Sequence, residues 1–318
     1  MDADRAPHAD VDSAPEGTAV TSRLWPSLVV GAVASAFALF PSWVGGARLP
    51  LQNLWHEQTM PDDMPISLLP LSQYYALNIF VMLLLGGVLA GLVVRWRRLR
   101  AGMAALGVLG VHVIVTVQSF AVLAGGHGLL DGTAGSRELL YFGGMLGGVV
   151  AGIGLAQLGC WMASRRTVTL PALAVALSAV PVGSWISTAI VAFTTYNGYP
   201  PEVGTILRWV PAVIVAGALI WAGVRPLGRL VVWVVGLLAL WKLPAVFTAI
   251  SYGLGMRVLQ GDLREMALVA GQIFPLALAE TTLPVVVAVV LAVVGTGVRM
   301  LVGKRVADVG RAQRDEIN

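Results

Sequence analysis

The sequence predicts an all-α polytopic membrane protein, with about eight transmembrane helices arranged as four hairpins and both termini cytoplasmic. Three observations predict it. Apolar residues fill 57% of the 318 positions and charged residues only 12%, with a mean hydropathy of +0.80, whereas soluble domains carry about 25% charge. The apolar residues fall in runs of about 20, the length that crosses a hydrocarbon core roughly 30 Å thick. Arginines cluster in short stretches between these runs, alternately dense and sparse, as the positive-inside rule requires.

Residues 1–22 are acidic and polar, with Asp2, Asp4, Asp10, Asp12, Glu16, Pro7 and Pro15. A secretory signal would open with basic residues and reach its apolar stretch sooner. The segment therefore reads as a disordered cytoplasmic tail. A transmembrane domain follows over 23–299, with helices expected near 24–45, 74–95, 101–124, 138–163, 169–194, 206–224, 229–252 and 269–297. Residues 300–318 form a basic, polar cytoplasmic tail. Segments assigned to the cytoplasm hold fifteen of the 21 lysines and arginines, including Arg95, Arg97, Arg98 and Arg100, and outer segments hold five. That bias sets the orientation in the plasma membrane. The two lysines, Lys242 and Lys304, stand against many arginines, alanines and valines, a composition typical of a high-GC, bacterial genome. The net charge of +4 belongs to these loop clusters and implies lipid, not nucleic acid, as the medium.

The expected helices 7 and 8 each carry one charge. Lys242 lies about ten residues from the outer end of helix 7 and Glu280 about ten from the outer start of helix 8. Both fall roughly 15 Å below the outer interface at 1.5 Å per residue. Unpaired, each costs about 2.5–3.5 kcal/mol on insertion scales, so an ion pair or a water-filled cavity is expected. Pro284 cannot bond to the Glu280 carbonyl, nor Pro244 to that of Leu240. Bent helices beside a carboxylate are a feature of transporter ion and substrate sites. The plain alternative is a pair that only fixes helix docking.

His112 sits near the middle of helix 3, with Thr116 and Ser119 on the same face. A histidine there can relay protons or hold a metal, or simply bond to a neighbouring helix; the second reading is the more economical. Gln118, Gln157 and Gln272 line a polar path or knit helices together. Gly144, Gly148 and Gly152 recur every four residues on helix 4, a spacing that lets helices approach closely. Gly87 and Gly91 repeat it more weakly on helix 2.

Outer loop 1, about 46–73, concentrates His56, Glu57, Asp62 and Asp63 beside Trp55. Such a set could serve acid–base chemistry on a lipid-linked substrate, but the spacing matches no metal motif. The alternative is an interfacial cap anchored by aromatic residues. Cys160 stands alone, so no CxxC pair exists. No Walker A, HExxH or GxSxG sequence occurs, and neither cofactor nor metal is indicated.

Three functions fit these residues. The first is a transporter or permease, working alone or with further membrane subunits or a separate ATPase, and using Lys242 and Glu280. The second is a non-catalytic accessory subunit of a membrane complex, presenting the glycine face of helix 4 to a partner. The third is a membrane enzyme acting through loop 1. The first is the expectation carried forward, and an enzyme is the less expected outcome.

Overall fold

The protein is all-helical in its described residues, and eight of its helices are long and apolar enough to cross a membrane. The structure is a computed structural model describing residues 24–55, 59–194, 201–256 and 262–315; the side chains of 201 and 303–315 fall outside that description. The expected tail 1–22, and His56 and Glu57 of loop 1, also lie outside it.

The helices are α1 (Leu24–Val44), α2 (Ala76–Arg97), α3 (Ala101–Gly126), α4 (Ser136–Ala163) and α5 (Thr169–Phe193). There follow α6 (Pro201–Leu207), α7 (Val210–Ala222), α8 (Leu230–Gly255), α9 (Leu263–Glu280) and α10 (Thr282–Asp315). The first five match the expected spans to within two residues at every end.

Glycine sets the packing of the first four. The closest helix pairs are not chain neighbours but alternate helices, α1 with α3 and α2 with α4. A Cβ on Gly31 would strike the carbonyl of Ala104, and one on Gly107 the carbonyl of Leu28. Gly87 meets Ala156 and Gly91 meets Cys160 in the same way. Lipid tails are as apolar as leucine, so close backbone approach supplies the attraction that hydrophobicity cannot. The glycines that read as weaker, Gly87 and Gly91, therefore make the tightest contact of α2. Of the stronger-looking stripe, only Gly152 packs, against Leu83. Gly144 and Gly148 have nothing within 4 Å of a built Cβ.

The second half departs from the expected helices at two places. Span 206–224 is two helices, α6 and α7, with Arg208 and Trp209 between them and Pro211 near the start of α7. Proline fits a first helical turn and resists an interior one. The expected helix 269–297 is likewise two helices parted at Thr281. Pro284 accounts for the break: it occupies the first turn of α10 and cannot donate to the Glu280 carbonyl. On either side the chain changes partner, α9 lying along α8 and α10 crossing to α7. Ala288 and Ala292 are buried in a cluster with Ala212, Val215 and Leu219. The helix also continues past 300 to Asp315, so most of the expected C-terminal tail is helical.

Candidate functional site

Loop 1 folds into the mouth of the first four helices. Trp43 Nε1–H donates to Leu68 O (3.0 Å), and Arg48 Nη1 to Met64 O (2.7 Å). Backbone bonds join Leu49 to Pro65 and Ser67 to Ala47. Leu49, Met64, Leu69 and Leu71 are buried beneath this small antiparallel contact. From there the irregular segment 66–69 descends onto α3. Leu68 N–H donates to Gln118 Oε1 (2.9 Å), Leu69 N–H to Ser119 Oγ (2.8 Å), and Gln118 Nε2 to Ile66 O (2.9 Å). Ser119 precedes the end of α3 by seven residues, about 10 Å of helix. Non-helical backbone at that depth survives only when protein surrounds it and satisfies its polar groups, which is the work of Gln118 and Ser119.

The stripe expected on α3 thus has two parts. Its upper member, Ser119, holds the loop. Its lower members, Thr116 and His112, are buried, and Thr116 Oγ1 and both imidazole nitrogens of His112 have no hydrogen-bond partner. Ser35 Oγ of α1 is also buried and unpartnered. Gly86 of α2 lies between them: a Cβ built there would sit 3.1 Å from Ser35 Oγ and 3.4 Å from His112 Nε2. Ser35 of α1 and His112 of α3 therefore pack closely against the Gly86 backbone of α2. The sequence marked His112 and Thr116 by their spacing. It gave no sign that Ser35 and Gly86 would join them.

His127 caps α3 and is fully buried between Trp55 (6.0 Å between ring centroids) and Tyr141 (5.4 Å). Tyr141 Oη donates to Gln52 Oε1 (3.0 Å), whose amide nitrogen donates to Pro50 and Leu71 carbonyls. These residues form a packed aromatic cap. Asp62 and Asp63 stand exposed on a 3-10 turn.

Lys242 and Glu280 occupy the α9/α10 break. Thr281 Oγ1 donates to Trp241 O (2.8 Å), so the two charges, each one residue from this contact, share a level. Trp241 lies about 17 Å along α8 from Leu230 and about 21 Å from Gly255, close to mid-length. The expected ion pair is absent among the described residues. A residue next to a contact points about 100° away from it on a helix, and both side chains are exposed on the outside of the bundle. The Lys242 ammonium lies 5.9 Å from the Trp241 ring centroid. The groove that α8 does line, through Leu243 and Phe247, is apolar and runs between α2, α4 and α5.

Among the described residues no group of three or more His, Cys, Asp or Glu could hold a metal ion. Compared with protein-family models, with curated proteins and with solved structures, the chain matches none.

Proposed function

We propose that the chain is an integral membrane transporter or permease, acting alone or as a subunit, with its polar site at the α9/α10 break. The observation that carries the reading is the break itself. The return path from α8 stops at Thr281, beside the middle of α8, and resumes on a different partner helix. Discontinuous helices at mid-membrane are where transporters place substrate and coupling-ion sites, because their ends expose backbone dipoles. Here the C-terminal carbonyls of α9 and the Glu280 carboxylate lie together, an arrangement that attracts a cation or a proton. Lys242 supplies a counter-charge at the same level.

The exposure of both charges adds a requirement. Facing hydrocarbon, each would cost about 2.5–3.5 kcal/mol, so water or a second polypeptide covers that face. The arginine-rich end of the bundle, with Arg95, Arg165 and Arg229, is assigned to the cytoplasm of a cell membrane by the positive-inside rule.

The accessory-subunit reading has one observation in its favour. Gly144 and Gly148 present an open, small-residue face on α4 that none of the described residues covers. The enzyme reading rests on His56 and Glu57, which lie outside the described residues, and on Asp62 and Asp63, which stand exposed.

Single cysteines at 242 and 280, in a Cys160→Ser background, test the proposal with a membrane-impermeant thiol reagent. Labelling at both positions from outside is expected. If neither reacts while surface controls do, a hydrated pathway at the break is ruled out and a protein partner takes its place. Glu280→Gln is expected to abolish transport while the protein accumulates normally; loss of accumulation instead would make the residue structural.

A further inference from the structure

The apolar groove between α2, α4, α5 and α8 runs toward the arginine-rich end of the bundle. It measures about 180 Å³ and is lined by Phe80 and Val88 of α2, Leu155 and Leu158 of α4, Leu177 of α5 and Phe247 of α8. Phe80 and Val88 are about 12 Å apart along α2, and Phe80 is about 22 Å from Arg95. Half a bilayer, headgroups included, is about 20–22 Å thick. The groove therefore occupies the acyl region of one leaflet, with Arg95 at the level of its headgroups.

The α4 rim of the groove is its open side. Leu155 and Leu158 are exposed there, as is Trp161 one turn further on. Arg165 follows on the same face, and its guanidinium lies 4.3 Å from the Trp161 ring centroid. That contact holds a cation about 10 Å along α4 from Leu158. Arg95 Nη1 donates to the carbonyls of Arg165 and Thr167, which ties this turn to the foot of α2. Arg166 is exposed beside it. Segments 95–100, 164–168 and 223–229 hold eight arginines and no Asp or Glu, so no carboxylate within them offsets these cations. Guanidinium groups match phosphate oxygens, and basic clusters at the end of a helix bundle recognise anionic lipid headgroups. A neutral lipid would explain the groove without the cations, and a free phosphate the cations without the groove.

We propose that the groove and the Arg165–Arg166 pair together bind one anionic phospholipid, with an acyl chain along Leu158 and Leu177 and the phosphate at the guanidinium groups. The end of that chain reaches Phe80, near the bilayer midplane. The site draws nothing from the α9/α10 break and stands or falls apart from the transport reading.

Electron paramagnetic resonance of lipid probes tests it. The full chain is reconstituted in phosphatidylcholine vesicles with a trace of phosphatidylglycerol or phosphatidylcholine, each carrying a nitroxide near the end of one acyl chain. The motionally restricted fraction of each probe reports lipid held by the protein, and a larger fraction is expected for phosphatidylglycerol. Arg165→Gln combined with Arg166→Gln should bring it to the phosphatidylcholine level, a loss of about fivefold or more in relative affinity. Arg97→Gln combined with Arg100→Gln takes two charges from the same end, with Arg97 on the opposite side of α2 from Val88, and should leave most of the preference in place. Equal loss in both double variants would overturn the site, because the preference would then belong to the charge of the whole surface. The absence of any preference in the wild type would overturn it too. Leu177→Trp fills the groove and should lower the restricted fraction of the phosphatidylglycerol probe; Leu158→Trp, on the exposed rim, takes its place if the first does not accumulate. An unchanged fraction in a folded groove-filling variant would count against the proposal.

Discussion

In α1–α4 backbone lies against backbone, while α8–α10 touch the rest of the molecule along narrow seams and leave wide faces open. The first three spans have 39–61% of their most apolar stretch buried inside the protein, the span of α8 28% and the last 17%; α4, whose outer face is open, also has 17%. The cause is the placement of small residues. Gly31, Gly87, Gly91 and Gly107 all meet a carbonyl of another helix, whereas among the described glycines of α8–α10 only Gly253 does, against Met266, and Gly271 and Gly297 meet nothing. The polar groups follow the same division. In the first half Gln118 and Ser119 hold loop 1 and Ser35, His112 and Thr116 are enclosed; in the second, Lys242 and Glu280 stand exposed. A membrane protein can therefore keep rigidity and adaptability in one chain by allotting glycine contacts to one half and proline breaks to the other.

The sharpest way to break this comparison is to put the same side chain on two glycine faces. Gly87→Leu drives a side chain into the Ala156 carbonyl. Overpacking costs about 1–3 kcal/mol and at times more, and here rigid backbone is the obstacle. We expect loss of folded protein or a large drop in thermal stability in detergent. Gly148→Leu, on a face with nothing within 4 Å, should stay within about 0.5 kcal/mol of wild type. If Gly148→Leu were equally damaging, the open face of α4 would be an interface required for folding, and the accessory-subunit reading would gain.

Loop 1 extends the comparison to a polar contact. Ser119→Ala strands the Leu69 N–H in a buried place, at a cost of about 1–3 kcal/mol. Its expected effect is faster proteolysis within 47–72 and a lower melting temperature. Asp63→Ala, on the exposed turn of the same loop, should change neither. Equal sensitivity of the two variants would mean that the loop is not held by α3.

How much of this was legible in the sequence follows the same division. Spans in the first half were readable because each is a single apolar run of membrane length ended by arginines or turn residues. The last return path was not, because apolar character continues across Thr281 and only Pro284 marks the break; a proline reads equally as a bend inside one helix. At the candidate site, Lys242 and Glu280 were correctly placed at one level, since spacing along a helix fixes depth. Their failure to pair depends on rotation about the helix axes, which a short loop does not set. His112 was visible as a mid-helix histidine. Its surroundings were not, because they come from Ser35 and Gly86, distant in sequence and ordinary in composition.

The smallest expected effect tests whether α9 belongs to the cooperative core at all. Asp262 caps it, its Oδ1 accepting from the N–H groups of Arg264 (2.9 Å) and Glu265 (3.2 Å). Replacing such a cap by alanine costs a helix about 1 kcal/mol. α9 has no buried residue and lies only along α8, so little else ties its first turn down. Asp262→Ala should raise amide hydrogen exchange over about the first two turns of α9 and leave the global melting temperature unchanged. A helix that opens by itself is what a gate beside Glu280 requires. If exchange rose through α8 and α10 together, α9 would be part of the rigid frame, and the break at Thr281 would be a fixed corner instead of a hinge.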